Sequence, residues 1–491
     1  MKKLNMVINA LDKKSHINRE IYGQFSEHLG TCIYDGLYVG EESDIPNTKG
    51  VRNDLLEALK GIRVPVLRWP GGCFAEDYFW KDGVGPKNAR PKRINAYWGG
   101  VKEDNSFGTH DFFNLCEELG AEPYLALNMA SGTVKDMSDW LEYIVFDGDS
   151  NMSELREKNG RKEPWKLKYI GIGNENWGAG GGMRPEYYAD EFRKYSAYAR
   201  DLSGNHFEKI ACGPNGADYN WTDVVMRGLN EWNASGMALH YYTLPTGDWN
   251  HKGSATDFDK AEYYKTIKGA GFMEELVKTH GSIIRRHNKK IKLVVDEWGN
   301  WYDVEPGTNP GFLYQQNTMR DAITAAMNLN IFNNNSDIVM MANIAQAINV
   351  LQAMALTDGK DMCLTPTYHV FDMFKEHQDA ELVYAFVENF AEKIDGEDVP
   401  MVSLSASVSK AGKLVVTAAN ASVDEGAEIS ATIEGFCGKS VAGKILCDAA
   451  DAKNTFEDGN RVSPKELSVS LVDGKLAFEL PACSVVSVEI G

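Results

Sequence analysis

The sequence predicts an α/β protein in which a (β/α)8 barrel is followed by an antiparallel, jelly-roll-like β-sandwich. Up to about residue 375, eight short apolar runs alternate with helical stretches, as in a barrel of parallel strands. After that point, apolar residues recur at every second position, as in half-buried antiparallel strands. No G-x-G-x-x-G follows the first run, so a dinucleotide-binding sheet has no support. We therefore expect a catalytic barrel over residues 16–374 and an accessory sandwich over residues 1–15 plus 375–491.

The eight predicted barrel strands are short and almost uniformly apolar, which is typical of strands covered on both faces. They are Ile21–Ser26, Ile62–Trp69, Pro123–Met129, Leu167–Gly173, Lys209–Gly213, Met237–Tyr242, Ile291–Asp296 and Ile338–Gln346. Two of the helices between them carry N-terminal signals, with Thr109 as the expected N-cap and Pro185 as the expected first helical residue.

The C-terminal region shows strand alternation and one clear hairpin. In the segment 402–408, apolar residues alternate with serines, and similar alternation occurs over 429–433 and 467–471. The sequence Val472-Asp473-Gly474-Lys475 predicts a tight turn, because Asp-Gly favours the backbone of a two-residue hairpin. A further strand near Leu4–Ile8 precedes the barrel, and the sequence does not decide whether it pairs with the sandwich.

Composition excludes several classes of function. The 491 residues include 51 Lys and Arg against 70 Asp and Glu, a net charge of −19, so nucleic acid and anionic membranes are not expected partners. The longest apolar tract, Ile338–Leu356, contains four Asn or Gln residues, which argues against a bilayer span. The first residues lack the apolar core of a signal peptide, and the eight cysteines form no C-x-x-C pair. We therefore expect a cytoplasmic protein with reduced cysteines.

Two glutamates follow predicted strands, at the ends where barrel enzymes carry their reacting groups. Glu175 lies in the segment Gly173–Gly178 (GNENWG), and Glu297 lies in Asp296–Gly299 (DEWG). Each glutamate alone could serve as a helix cap or salt-bridge partner, but both together, each followed by Trp and Gly, favour a catalytic pair. Glycosidic bond cleavage uses such a pair, with one acid to protonate the leaving oxygen and one carboxylate to meet the sugar carbon.

These two segments, with Arg68–Phe74 (RWPGGCF) and Phe25–Gly30 (FSEHLG), resemble the retaining α-L-arabinofuranosidases of glycoside hydrolase family 51. The resemblance spans nearly the whole chain. It implies a (β/α)8 barrel with a β-sandwich, release of terminal α-L-arabinofuranosyl residues from arabinan or arabinoxylan oligosaccharides, and a homo-oligomer, often a hexamer. It implies no cofactor and no metal ion.

Matched position by position, the resemblance implies that Glu175 is the general acid/base and Glu297 the nucleophile. Arg68 and His240 match residues that position these carboxylates. The implied substrate-binding residues are Glu27, Cys73, Asn174, Tyr242 and Gln346, with Trp98 and Trp298 as walls of the leaving-group side. Structural roles remain open for several of these residues, including a buried apolar role for Cys73, a core role for His240 and a strand cap for Gln346. The chain departs from the family pattern at Gly178–Gly182, where relatives often carry Cys and Asn.

Three alternatives remain open. A β-xylosidase or an endoglucanase would use the same pair of glutamates. A metal-dependent sugar isomerase would need a denser set of Asp, Glu and His ligands than the sequence offers. A non-catalytic carbohydrate-binding protein with the same barrel would not need both carboxylates.

Overall fold

The computed structural model describes residues 1–491, and its strands form a closed barrel and a separate ten-stranded sheet, together with four small two-stranded sheets. The strands up to residue 364 are β1 (Lys2–His16), β2 (Gly23–Phe25), β3 (Asn47–Thr48), β4 (Val51–Arg52), β5 (Val66–Trp69), β6 (Arg93–Asn95), β7 (Val101–Glu103), β8 (Glu122–Leu127), β9 (Tyr169–Ile172), β10 (Glu208–Ala211), β11 (Gly236–Thr243), β12 (Lys292–Asn300), β13 (Val339–Ala345), β14 (Ala355–Asp358) and β15 (Asp361–Leu364). The later strands are β16 (Glu381–Val387), β17 (Ala391–Ile394), β18 (Glu397–Pro400), β19 (Val402–Val408), β20 (Leu414–Asn420), β21 (Ala427–Glu434), β22 (Val441–Cys447), β23 (Lys465–Glu466), β24 (Val469–Val472), β25 (Lys475–Leu480) and β26 (Ser484–Ile490).

The helices lie mainly between the barrel strands. The α-helices are α1 (Asn53–Gly61), α2 (Thr109–Leu119), α3 (Val134–Val145), α4 (Asn151–Lys158), α5 (Pro185–Tyr198), α6 (Tyr219–Met226), α7 (Lys260–Gly271), α8 (Met273–His287), α9 (Met319–Asn334) and α10 (Pro366–Phe374). Short 3₁₀ helices span Arg19–Tyr22, Cys73–Asp77, Trp80–Gly83, Lys87–Ala89, Pro310–Phe312 and Lys375–His377. None of the helices is both long and apolar enough to cross a membrane.

The barrel confirms the predicted fold class. Its eight strands run in the order β2, β5, β8, β9, β10, β11, β12 and β13, with β13 closing onto β2, and every neighbouring pair is parallel. Each of the eight predicted strands overlaps one of these strands, and four of the observed strands extend one or more residues beyond the predicted bounds. The lower interior is filled by seven buried side chains, a packed core rather than a pore: Val66, Tyr124, Tyr169, Ile210, Ala238, Val294 and Met341.

The ten-stranded sheet is built from β1 and the C-terminal strands, in the order β23, β22, β26, β20, β19, β16, β1, β21, β25 and β24. Strand β1 pairs antiparallel with β16 and parallel with β21, which is the one parallel pair of this sheet. Strands near the two ends of the sheet, β22 and β24, contact each other, so the sheet curls around a core of 21 buried residues. The hairpin between β24 and β25 is confirmed, with Asp473 and Gly474 at φ of 50° and 73°.

One of the two predicted helix starts is confirmed and the other is displaced. Pro185 is the first residue of α5, as predicted. The prediction that Thr109 is an N-cap is wrong by one residue, because α2 begins at Thr109 and its N-cap is Gly108. The Asp111 carboxylate accepts a hydrogen bond from the Gly108 amide at 3.0 Å and so satisfies one free donor of the first turn.

Candidate active site

A β-bulge in β12 brings two consecutive carboxylates into the barrel. Ala238 of β11 pairs with Val294 of β12, and the next interior residue of β11, His240, pairs with Glu297. The step is two residues along β11 but three along β12. Over this stretch β12 therefore has one residue more than its neighbour, which interrupts the alternation of side chains between the two faces. As a result, Asp296 and Glu297 both point into the barrel, where they share the same positively charged partners.

Glu297 lies at the centre of the barrel mouth and is held at both oxygens. Arg68 Nη1 donates to its Oε1 at 2.8 Å, and the Tyr242 hydroxyl donates to its Oε2 at 2.8 Å. His240 Nδ1 lies 3.4 Å from the same Oε2. Burial raises the pKa of Glu297, while the His240 and Arg68 cations oppose that rise. A Cβ at Gly72 would come within 2.5 Å of Oε1, so glycine is required there.

Glu175 faces Glu297 from the turn that follows β9. Its backbone has a φ of 45°, which is unusual for a residue with a side chain. Oε1 contacts His240 Nδ1 at 2.9 Å, and Oε2 lies 3.5 Å from the Cys73 thiol. The Glu175 side chain is 17% exposed against 7% for Glu297, so Glu175 is the one open to solvent. One oxygen of each glutamate lies within 4.8 Å of the other, and both lie within that distance of His240.

Asp296 forms the floor beneath the two glutamates. It accepts a hydrogen bond from the Tyr124 hydroxyl at 2.7 Å and lies 3.2 Å from His240 Nε2 and 3.6 Å from Arg68 Nε. Burial would raise the pKa of Asp296, but Arg68 and His240 outweigh burial and lower it. Asp296 is therefore a permanent negative charge below the site, although nothing in its sequence pattern singled it out.

His240 is enclosed by carboxylates on both sides of its ring, with Nδ1 toward Glu175 and Nε2 toward Asp296. Burial opposes its charge, but Glu297 and the hydrogen bonds to Asp296 and Glu175 raise the pKa of His240 to about 10. The imidazolium therefore donates from both nitrogens at neutral pH. The interpretation of His240 as a satisfied core histidine does not describe these contacts.

Glu27 organises the opposite wall of the mouth. Its Oε1 accepts hydrogen bonds from the amides of Gly72 and Phe74 at 3.0 and 3.1 Å and from Trp98 Nε1 at 3.0 Å. Its Oε2 accepts from Gln346 Nε2 at 2.6 Å. Burial, with the nearby charge of Glu297, raises the pKa of Glu27 to about 7.

The buried polar atoms of this region that have no protein hydrogen-bond partner include one amide donor, on Asn174, and one amide acceptor, on Gln346. Asn174 uses Oδ1 to accept from Arg68 Nη2 at 2.6 Å, which leaves its Nδ2 donor free. Gln346 uses Nε2 on Glu27, which leaves its Oε1 acceptor free. Because buried polar groups are normally paired, a free donor and a free acceptor beside the carboxylates suit a ligand rich in hydroxyl groups.

The structure brings together all of the predicted site residues except Trp298: Glu27, Arg68, Cys73, Trp98, Asn174, Glu175, His240, Tyr242, Glu297 and Gln346. The prediction that Trp298 forms a wall of the site is wrong. Its ring packs against Phe332 of α9 and Phe371 of α10, with ring centroids 5.3 and 6.3 Å away. Side chains alternate along a strand, so the residue after the inward-facing Glu297 points outward to the helices.

Trp301 lies where Trp298 was expected. It is half-buried and packs edge-on against Tyr242, with ring centroids 5.0 Å apart, and it also packs against Trp249, with ring centroids 5.1 Å apart. The signal for Trp301 was available in the sequence, because it is four positions after Glu297 and an even spacing keeps the same face of a strand.

Glu175, His240 and Glu297 are the one group of side chains that could together hold a metal ion. Both glutamates already have cationic neighbours. Arg68 contacts Glu297, and the protonated His240 ring contacts both glutamates. An imidazolium offers no lone pair to a metal. The donor set therefore fits a network of hydrogen bonds to carboxylates better than a cation site.

The arrangement gives the two glutamates different chemistry. Glu297 receives hydrogen bonds at both oxygens and lies beside two cations, which favours an ionised, oriented carboxylate. Glu175 is more exposed and keeps Oε2 free of charged donors. Across a narrow gap, the buried carboxylate can attack a substrate held between the two groups while the accessible carboxyl group protonates its leaving oxygen.

Comparisons with known proteins agree with this chemistry. A family model described as the α-L-arabinofuranosidase C-terminal domain matches residues 296–484, and one described as the α-L-arabinofuranosidase 1 domain matches residues 58–263. The chain is 50% identical to an intracellular exo-α-L-arabinofuranosidase of Bacteroides ovatus, over 100% of this chain and 96% of that protein.

Two solved structures share the whole fold. The arabinofuranosidase of family GH51 from Xanthomonas axonopodis pv. citri is 43% identical, with a TM-score of 0.98 and coverage of 100% of both chains. An α-L-arabinofuranosidase from Thermotoga maritima, solved as an arabinose complex, is 30% identical with a TM-score of 0.88, over 99% of this chain and 100% of that one.

Proposed function

The chain belongs to the α-L-arabinofuranosidases of glycoside hydrolase family 51, and on that premise we propose that Glu175 and Glu297 release terminal α-L-arabinofuranose by double displacement with retained configuration. The observation that carries the proposal is the close approach of the pair, since one oxygen of Glu175 lies within 4.8 Å of one oxygen of Glu297, which favours the retaining geometry. Retaining glycosidases hold their carboxyl groups about 5–5.5 Å apart, whereas inverting enzymes need about 6.5–9.5 Å to admit a water molecule.

Glu297 is the nucleophile in this proposal. Arg68 and Tyr242 fix both of its oxygens, so the carboxylate is aimed before substrate arrives. Attack by Glu297 on the anomeric carbon forms an ester bond to the sugar while the glycosidic carbon–oxygen bond breaks. When the ester has formed, Glu297 is uncharged and the negative charge lies on Glu175, which has given its proton to the leaving oxygen. Tyr242 and Arg68 then contact a neutral acyl group.

Glu175 is the general acid and then the general base. His240 donates to Oε1, which leaves Oε2 to carry the proton toward the leaving oxygen. After the leaving group departs, the ionised Glu175 removes a proton from water, and the water oxygen attacks the anomeric carbon of the ester. This second attack restores Glu297 and releases arabinose in the configuration it had in the substrate.

The sugar is bound by the free donor and acceptor beside the pair. We assign Asn174 Nδ2 and Gln346 Oε1 to hydroxyl groups of the arabinofuranose, with Glu27 and Cys73 as neighbouring contacts. Trp98 and Trp301 are half-buried aromatic rings near the mouth and supply apolar faces for the sugar and its leaving group.

The natural substrates in this proposal are arabinofuranosyl oligosaccharides, such as fragments of arabinan or arabinoxylan. The Bacteroides ovatus relative is named as intracellular, and we propose the same location here, where imported oligosaccharides rather than intact polymers are available. We also propose a homo-oligomer of the hexameric kind that the family resemblance implies, with residues 16–374 as the catalytic domain and 1–15 plus 375–491 as the accessory domain.

Azide rescue tests the two roles directly. For Glu297→Ala, added azide attacks the anomeric carbon in one step, so the arabinofuranosyl azide has inverted configuration. For Glu175→Ala, azide attacks the ester on Glu297, so the azide product has retained configuration. Identical stereochemistry from both variants would refute the assignment, and NMR of the products distinguishes the two.

A panel of 4-nitrophenyl glycosides that differ only in the sugar addresses the neighbouring activities. We expect cleavage of the α-L-arabinofuranoside with little turnover of the β-D-xyloside or the cellobioside. Substantial turnover of either of the latter would favour the β-xylosidase or endoglucanase alternative.

A further inference from the structure

A further buried carboxylate, Glu76, lies behind the acid/base and was not singled out by the sequence. It lies on the short helix Cys73–Asp77 and is 1% exposed. Its Oε1 accepts hydrogen bonds from the Asn174 amide at 2.7 Å and from Asn176 Nδ2 at 2.9 Å. Its Oε2 accepts from the amides of Met129 and Ala130, both at 2.7 Å.

The four partners of Glu76 come from two neighbouring loops, and all of them are N–H donors. Met129 and Ala130 follow β8, and Asn174 and Asn176 follow β9. One carboxylate thus joins the loops after β5, β8 and β9 at the mouth of the barrel. Burial raises the pKa of Glu76 to about 7, and the hydrogen bonds from these donors act against the rise.

The two donors on Oε1 are the immediate neighbours of Glu175, one on each side. Glu175 itself adopts a φ of 45°, a conformation that persists only where the surroundings hold it. Cys73, whose thiol contacts Glu175 Oε2, lies on the same short helix as Glu76. Glu76 therefore fixes both the turn that presents Glu175 and the helix that contacts it.

We propose that Glu76 is a positioning residue for the acid/base, which sets the place of Glu175 relative to Glu297 without touching substrate. The inference rests on the proposed function of Glu175. Its consequence is that loss of Glu76 impairs proton donation to the leaving group more than attack by the nucleophile, because Glu297 is held by separate partners, Arg68 and Tyr242.

Glu76→Gln is the direct test, because it keeps the size of the side chain but turns one acceptor oxygen into an NH2 group. In either orientation of the amide, two of the four N–H donors lose their acceptor. Misplacement of a reacting group by about 1 Å costs about 10²-fold in rate. We expect kcat/KM for an arabino-oligosaccharide, which has a poor leaving group, to fall by about that factor, and kcat/KM for an activated dinitrophenyl arabinofuranoside to fall by less than about threefold.

Two further variants keep the test decisive. Asn176→Ala removes one of the two donors on Oε1. Because one hydrogen bond to a charged group is worth about tenfold, kcat/KM for the arabino-oligosaccharide should fall by about tenfold, with little change for the activated substrate. This variant decides the question if Glu76→Gln does not fold. Glu20→Gln is the matched control, since Glu20 is also a buried glutamate, is 8% exposed, and accepts a hydrogen bond from Tyr169 at the opposite end of the barrel. We expect the control to leave both rates unchanged.

Glu175→Ala, measured on the same two substrates, separates this proposal from the one on which it rests. If Glu175→Ala is selective for the poor leaving group and the Glu76 and Asn176 variants are not, the role of Glu76 is refuted and that of Glu175 stands. If Glu175→Ala loses both activities equally, the acid/base assignment fails and the proposal for Glu76 fails with it.

Discussion

Replacing Asp296 with Asn removes one negative charge from beneath the two glutamates and keeps the shape of the side chain. In the native protein, Asp296 contacts His240 Nε2 at 3.2 Å, and His240 Nδ1 in turn contacts Glu175 at 2.9 Å. The hydrogen bond and the charge of Asp296 are two of the causes that raise the pKa of His240 to about 10. Asp296→Asn should therefore lower the pKa of His240 and weaken its hydrogen bond to Glu175.

The magnitude follows from the charges in contact. An opposite charge at this distance shifts a pKa by about 1–3 units, so the pH at which His240 loses its proton should fall by about that amount. A group whose pKa is raised on folding stabilises the protein fully below its unfolded pKa, near 6.5, and that stabilisation is lost as the pH rises through about 10. The native shift corresponds to on the order of 5 kcal/mol, and breaking one buried ion pair costs about 3–5 kcal/mol.

The assay is a pair of pH profiles from about pH 5 to pH 10, one for kcat/KM with an aryl arabinofuranoside and one for the free energy of unfolding in urea. In Asp296→Asn, both should begin to fall at lower pH than in the native enzyme. Tyr124→Phe is the control, because it removes the 2.7 Å hydrogen bond to the same carboxylate without changing any charge. Profiles of Asp296→Asn that superimpose on those of the native enzyme would show that Asp296 does not govern His240.

Three other predictions follow from contacts in the site. Trp298→Ala should lower the free energy of unfolding by about 3–5 kcal/mol, because Trp298 is a core residue. Trp301→Ala should change the free energy of unfolding by no more than about 1 kcal/mol and should raise KM for oligosaccharides. The opposite pattern in urea unfolding and in kinetics would return Trp298 to the site. Tyr242→Phe should lower kcat by about 10–100-fold through loss of its 2.8 Å hydrogen bond to Glu297, and an unchanged kcat would show that this bond does not orient the nucleophile. Prolonged dialysis against a chelator should leave activity unchanged, and a loss that is restored by one divalent metal would support the isomerase-like alternative.

The barrel was predictable because its strands are buried on both faces. Each of the eight apolar runs overlaps one observed strand, since a strand covered by helices and by the barrel interior leaves little place for polar residues. The ends of the helices were less predictable. Thr109 is a common N-cap type, but the chain uses the Gly108 backbone with the Asp111 carboxylate instead, at a position where a Cβ would lie 1.9 Å from the Gly83 carbonyl oxygen.

Within the site, side chains that follow strict alternation could be placed and those that depart from it could not. Tyr242 and His240 lie two positions apart on β11 and both face the interior, which the pattern indicates. The inward position of Asp296 depends on a bulge, and a one-residue bulge leaves no mark in hydrophobicity. Glu76 was missed for a different reason, since its partners are mostly backbone amides, which every residue type provides.

The pairing of β1 has a consequence for how the chain is made. During synthesis β1 emerges from the ribosome before its partners β16 and β21, which follow only after more than 360 further residues, because they begin at Glu381 and Ala427. At about 5–20 residues per second, the strand waits roughly 20–70 s with both of its edges open. Lysine pairs at 2–3 and 13–14 flank its apolar centre, and charges of this kind discourage association between nascent chains during the wait.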